Sequence, residues 1–444
     1  MSTSFDLIIR GGTIVNQDGS WQGDVGVRGG RIARTGALGA ATAAEQIDAR
    51  GLHVLPGVID SHVHFREPGA EDREDLESGS RAAVLGGVTA VFEMPNTNPP
   101  TTTAAALADK VARARGRMFC DFAFYPGATT DNIDELAALE RVEGAAGIKV
   151  FMGSSTGNLL LDDPVLLRRL LQKVKRRVAF HSEDEARLNA RKNLRVENDP
   201  SSHSVWRDPE AAIMATRQLL DIARDTGARI HILHVSTAEE MSLIAENRAQ
   251  VTAEVTPHHL MLPIPEAYDK LGTRAQMNPP LRNEKTCAAL WDALAQGIVD
   301  TIGSDHAPHL LDAKANPYPA SPSGMPGVQT LAPLMLNAVN AGRLTLQRFV
   351  DLTSHGPARV YGIAGKGRIA GGYDADLTLV DMSARRVIED KWIASRCGWT
   401  PYAGWNVTGW PVATIVRGRI VMREDEIVAP AGGEPVRFVE CVRA

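Results

Sequence analysis

A (β/α)8 TIM barrel with a small β-sandwich assembled from both chain ends is the fold this sequence predicts, within the α/β class. Three observations predict it. Over residues 53–364, apolar β-type runs alternate with helix-compatible stretches. This gives eight strands in roughly 250 residues, the count and span of such a barrel. Both ends carry short β runs punctuated by glycine turns. No glycine-rich phosphate loop follows the first barrel strand, which disfavours a doubly wound open sheet.

The elements follow in order. Phe5 to Ile9, Gly12 to Val15, Asp24 to Val27 and Arg31 to Ala33 alternate with glycine turns, and Ala375 to Val380, Ala413 to Val416 and Arg419 to Met422 repeat the pattern at the far end. Each patch alone is small for an independent core, so the expectation is one shared domain from residues 1–52 and 365–444, with the barrel of 53–364 inserted. The eight barrel runs end near His62, Met94, Tyr125, Phe151, His181, Val235, Val255 and Ser304. Ala104 to Arg115, Pro164 to Arg176, Pro209 to Thr226 and Glu284 to Ala295 read as helices, with Asp131 and Asp162 where N-caps are expected.

Composition narrows the function classes. The 444 residues are 44% apolar, enough for a large domain and a smaller one, and the net charge of −5 with no basic run gives no support for nucleic-acid or membrane-surface binding. Four scattered cysteines (Cys120, Cys287, Cys397, Cys441) suggest neither zinc knuckles nor a disulfide framework. With a polar start and no apolar run of membrane-spanning length, a cytoplasmic protein is expected.

The chemistry concentrates at strand ends, which converge on one mouth in a barrel. Asp60-Ser61-His62-Val63-His64-Phe65-Arg66 closes the first strand. On an extended chain His62, His64 and Arg66 share a face, where two imidazoles hold a cation and a guanidinium holds an anion. Later strand ends deliver Asn96, Lys149, His181, His234 and Asp305. A lone histidine at a strand end is more often a satisfied polar group than a ligand. Six candidate ligands at the ends of one barrel favour a metal site.

Lys149 decides what kind of site this is. An ammonium cannot coordinate a cation and repels it. Carboxylation by CO2 would convert it to an anionic carbamate whose two oxygens bridge two metals. The alternative is a lysine paired with Asp305, which leaves at most a mononuclear site.

The segment His62 to Gly69, together with Met94-Pro95-Asn96-Thr97, Lys149 to Gly157, Met277-Asn278-Pro279-Pro280-Leu281-Arg282, Asp305-His306-Ala307-Pro308-His309 and Ala375 to Asp381, resembles the dihydroorotases of the amidohydrolase superfamily over nearly the whole chain. The resemblance implies His62 and His64 on a first divalent metal ion and His181 and His234 on a second, with zinc expected. It also implies a carboxylated Lys149 bridging them, and Asp305 as first-metal ligand and proton shuttle. Arg66, Asn96 and His309 match positions that grip a free carboxylate, and Asn278 one that contacts the ring. The implied reaction is reversible cyclisation of N-carbamoyl-L-aspartate to dihydroorotate in de novo pyrimidine (UMP) synthesis. A homo-oligomer, dimer or tetramer, is implied with it, and association with aspartate transcarbamoylase is compatible.

Related allantoinases and dihydropyrimidinases share the ligands but lack this arginine, because their substrates carry no matching carboxylate. An inactive subunit supporting aspartate transcarbamoylase should have lost ligands, and none of the six is lost. Gly153 to Asn158, rich in glycine and serine, is equally readable as a closing lid or an ordinary turn. Structural roles are expected for His231, His258, His259, His306 and His355, while His53 and His203 support no argument.

Overall fold

The structure, a computed structural model, describes residues 4–153 and 159–439. Eight short strands run in the order read from the sequence: Val58–Val63, Val88–Glu93, Asp121–Phe124, Lys149–Phe151, Val178–His181, Ile230–Ile232, Val251–Val255 and Thr301–Ile302. The first three form one parallel sheet and the other five a second. The two sheets meet along both edges through parallel bridges, Phe124 to Ala145 and Gly127 to Lys149 on one side and Val63 to His306 on the other.

Alternation along these strands sorts their side chains into two cores. Ile59, Ala90, Phe92, Ala123 and Ala179 pack together in one cluster, while Val58, Val91, Phe122, Phe124, Val178 and Phe180 join the larger cluster shared with the helices. Both faces are apolar and buried, which is why the runs read as continuous rather than alternating in hydrophobicity.

The helices begin where side chains cap them. Thr103, Asp163, Asp208 and Asn283 accept backbone N–H bonds at the starts of Ala104–Ala114, Pro164–Lys173, Pro209–Thr226 and Glu284–Ala295. Two expected caps are displaced. Pro164 occupies the first helical turn, so the cap falls on Asp163 and not on Asp162. Asp131 caps nothing; the nearby helix Leu136–Leu139 starts after Glu135 without a side-chain cap.

Strands from both chain ends share one nine-stranded sheet. Its centre is His53–Pro56, which pairs parallel with Ser4–Asn16 and antiparallel with Leu377–Val387. The patches Phe5 to Ile9 and Gly12 to Val15 lie in a single strand, with a register shift between Ile9 and Gly12. Leu7, Ile14, Val25, Val54, Leu377 and Ile415 form that sheet's own core. Among the described residues Cys120, Cys287 and Cys397 are buried free thiols, and no helix is long and apolar enough to cross a membrane.

Candidate active site

One cavity of about 530 Å³ opens where the eight strands end, and all ten residues singled out from the sequence line it. His62, His64 and Arg66 converge there, though not along one unbroken strand. The strand stops at Val63, the His64 N–H donates to His306 O at 2.8 Å, and Arg66 adopts a φ of 64°. His234 (φ 36°) and Asp305 (φ 45°) are also left-handed. Side-chain-bearing residues avoid this region unless their surroundings enforce it, and such strain gathers where function needs an aimed group.

His62, His64 and Asp305 form a buried cluster whose ligand atoms could hold a metal ion. The Asp305 Oδ1 lies 3.2 Å from His62 Nε2 and 3.1 Å from His64 Nε2. Burial pushes the Asp305 carboxyl up, but His62, His64 and His234 together hold it well below the usual carboxylate range. Each imidazole is fixed from its far side. His62 Nδ1 is 2.7 Å from Glu254 Oε1, and His64 Nδ1 is 2.7 Å from Asn96 Oδ1. Amide and carboxylate oxygens accept here, so the Nδ1 atoms carry hydrogens and the Nε2 atoms face Asp305.

His181 and His234 form a second group beside the first. His181 Nδ1 and His234 Nε2 are 3.0 Å apart, and His181 Nε2 is 2.8 Å from Glu183 Oε2. Glu183 is gripped by the buried Arg207 through two guanidinium hydrogen bonds. Burial raises the Glu183 carboxyl; Arg207 and His181 outweigh it and hold the group far below its ordinary range. The rings of His62 and His234 are 5.2 Å apart, so the two groups adjoin.

Lys149 completes the floor. Its Nζ is buried, makes no hydrogen bond and sits 4.5 Å over the Phe151 ring. Burial pulls the amine down to about 7 despite the opposing pull of Asp305 and Glu254. A buried lysine without a partner is rare, and an amine drawn down this far has a substantial neutral, nucleophilic fraction near pH 7. Gly303 lets the strands close around this floor, because a Cβ there would stand 2.5 Å from Glu254 Oε2 and 2.9 Å from His62 Cβ.

At the rim, Arg66 donates from Nε to Pro308 O at 3.3 Å and lies 3.3 Å from His309 Nε2. It makes no ion pair among the described residues. His309 Nε2 is also 3.0 Å from Ser323 O, its Nδ1 is buried without a partner, and burial together with Arg66 drives its pKa down to about 2. Asn278 lines the same wall. Residues 154–158, where the lid expectation falls, lie outside the described residues.

The remaining histidines separate cleanly from the cavity wall. His231 bonds Thr252 Oγ1, His306 bonds Glu74, His259 ties Thr256 to Pro279 O, and His355 bonds Asp351. His258 is buried with its Nε2 unpartnered. His203 proves misjudged: its Nε2 is 2.8 Å from Asn278 Oδ1, so it touches a pocket residue. Sequence reasoning also passed over Glu254, Glu183 and Arg207. An acidic residue inside the apolar run Val251–Val255, and another two residues past His181, were the available signals.

Three comparisons bear on this site. The chain is 41% identical to a dihydroorotase from Halobacterium salinarum, over 86% of this chain and 90% of that protein. It is 36% identical to an allantoinase from Rubrobacter xylanophilus, over 98% of both. Among solved structures, an L-hydantoinase (dihydropyrimidinase) from Arthrobacter aurescens superposes with a TM-score of 0.93 at 30% identity, covering 97% of this chain and 99% of that one. The amidohydrolase family profile matches residues 53–421. The chain belongs to the amidohydrolase family.

Proposed function

We propose that this protein is a cyclic-amide hydrolase that interconverts N-carbamoyl-L-aspartate and (S)-dihydroorotate, the ring-closing step of pyrimidine synthesis. One observation carries the substrate choice: Arg66, half-buried at the cavity wall, has no carboxylate partner among the described residues. A desolvated guanidinium needs an anion, and a substrate carboxylate supplies it bidentately. Allantoin and hydantoin rings bring no such group. The full-length likeness to an allantoinase supports a second reading, hydrolysis of an uncharged cyclic amide, and Arg66 argues against it.

The same reading treats the eight strands as one closed (β/α)8 barrel, supported by the bridges at both sheet edges, and the nine-stranded sheet as a composite domain from residues 1–56 and 365–444, because His53–Pro56, expected within the barrel, pairs inside that sheet. The residues fit two divalent metal ions. Three imidazoles have their coordinating nitrogen freed by an oxygen on the other side, and Lys149 Nζ is a buried orphan that a CO2-derived carbamate would turn into an anionic ligand. His62, His64 and Asp305 would hold one ion, His181 and His234 the other, with Lys149 between. When bound, such ions lower the pKa of water and polarise an amide carbonyl.

The chain's own residues supply the rest. Asp305, held ionised by its histidine neighbours, takes a proton from the attacking water and delivers it to the departing ring nitrogen. Arg66, Asn96 and His309 fix the carboxylate and so the ring's approach, and Asn278 meets its far edge. Ring closure consumes a proton, so lower pH favours the ring. The test is a turnover assay on the zinc- and bicarbonate-loaded protein with dihydroorotate, allantoin, dihydrouracil and hydantoin. Turnover of dihydroorotate above the others is expected; turnover of the uncharged rings alone would overturn the assignment.

A further inference from the structure

His203, Trp206 and Tyr318 are buried behind the pocket wall and form a hydrogen-bonded chain whose direction is fixed at both ends. The Trp206 indole can only donate, and its Nε1 meets Tyr318 Oη at 2.7 Å. The tyrosine hydroxyl therefore accepts there and turns its own hydrogen towards His203 Nδ1, at 3.4 Å. On the other side of the ring, His203 Nε2 lies 3.1 Å from the Met277 carbonyl, which can only accept. Nε2 therefore carries the ring hydrogen. Burial with Arg207 nearby pushes the ring's pKa down to about 3, so it stays neutral and Nδ1 stays an acceptor.

The consequence falls on Asn278. Its amide end 2.8 Å from His203 Nε2 must be the oxygen, because an NH2 there would set donor against donor. Its Nδ2 makes no hydrogen bond to a described residue, and Asn278 lines the cavity. We propose that His203 is a positioning residue that turns the Asn278 amide so that its NH2 donates into the pocket, making the pocket select a ring bearing an acceptor oxygen at that point. The ring carbonyl away from the scissile bond is such an oxygen. This rests on the cyclic-amide reading of the site.

Steady-state kinetics of the metal-loaded protein test it, using wild type, His203→Met, His203→Asn, His203→Gln, Asn278→Ala and the double variant His203→Met/Asn278→Ala. His203→Met should raise KM about tenfold and change kcat less than about threefold, as expected for loss of a ground-state contact. His203→Asn is too short to reach Asn278 and should behave the same, which covers the case where methionine prevents folding. His203→Gln carries a donor as far as the imidazole Nε2 and should recover most of the loss. In the Asn278→Ala background, His203→Met should add less than about twofold. An unchanged KM in both His203→Met and His203→Asn, no rescue by glutamine, or full multiplication with Asn278→Ala would overturn the proposal. The series is run on whichever cyclic amide the wild type opens, so a wrong substrate assignment shows in the wild type and a wrong role for His203 only in the variants.

Discussion

Asp305 is an anion held among imidazoles, and that setting makes its removal diagnostic. Asp305→Asn keeps size and hydrogen bonding but cannot take a proton; kcat should fall by about 10²–10⁴-fold, checked by steady-state rates with metal content measured in parallel. Arg66→Ala should act differently, raising KM for the carboxylate-bearing ring by about 10²-fold through loss of a charge-assisted pair, with little change in any residual turnover of uncharged rings. Much of this scale was readable in the chain. A histidine pair, a lysine in an apolar strand and an aspartate after Gly303-Ser304 announce themselves by being polar where barrel strands end. The groups that aim them were not readable. Glu254 meets His62 across 192 residues, and nothing local to either tells which partner the sheet register will supply. His203 was dismissed for the same reason, since Asn278 is 75 positions away.

Elements were legible where their ends carry chemistry of their own. Pro209–Thr226 runs as read because Asp208 caps it, Pro209 starts it and Gly227 ends it with a φ of 68°. The Asp162 cap missed by one residue because Pro164, not the aspartate, sets the start. One helix start also yields a pH test. Glu240, in the first turn of Ala238–Ala245, is buried and accepts from Thr216 Oγ1, Thr237 Oγ1 and the Ser236 N–H. Burial outweighs these bonds and pushes its carboxyl up to about 7. The fold thus prefers the protonated form: its contribution is complete below the ordinary glutamate range and is lost as pH climbs through about 7. Glu240→Gln mimics the protonated acid, with its amide able to donate to Thr216 Oγ1. It should match wild type near pH 4.5 and exceed it by about 3 kcal/mol at pH 8, measured by denaturant melts across that range. Equal pH slopes in the two proteins would refute this.

The whole molecule ties its pocket to its ends. The segment after Leu377–Val387 returns to the cavity mouth, where the buried Trp399 indole donates to His309 O at 2.8 Å. Trp399→Phe leaves that carbonyl unpaired, at a cost of about 1–3 kcal/mol. It should lower the melting temperature and raise KM for the carboxylate substrate together, read from thermal melts and kinetics. Chelation should also lower the melting temperature, with zinc and bicarbonate restoring it, since a ligand held a thousandfold above its Kd stabilises by about 4 kcal/mol. The two-ended sheet was foreseeable from paired glycine-punctuated runs; its seam at His53–Pro56 was not, because the expected boundary gave these four residues to the barrel and nothing local to them discloses their two neighbours. That seam has a consequence for biogenesis. On the ribosome, His53–Pro56 can pair early with the strand Ser4–Asn16, but its other neighbour, Leu377–Val387, is missing until most of the polypeptide has emerged. Nascent chains should therefore expose an unfinished edge for most of translation, inviting chaperone attention until the tail arrives to latch it.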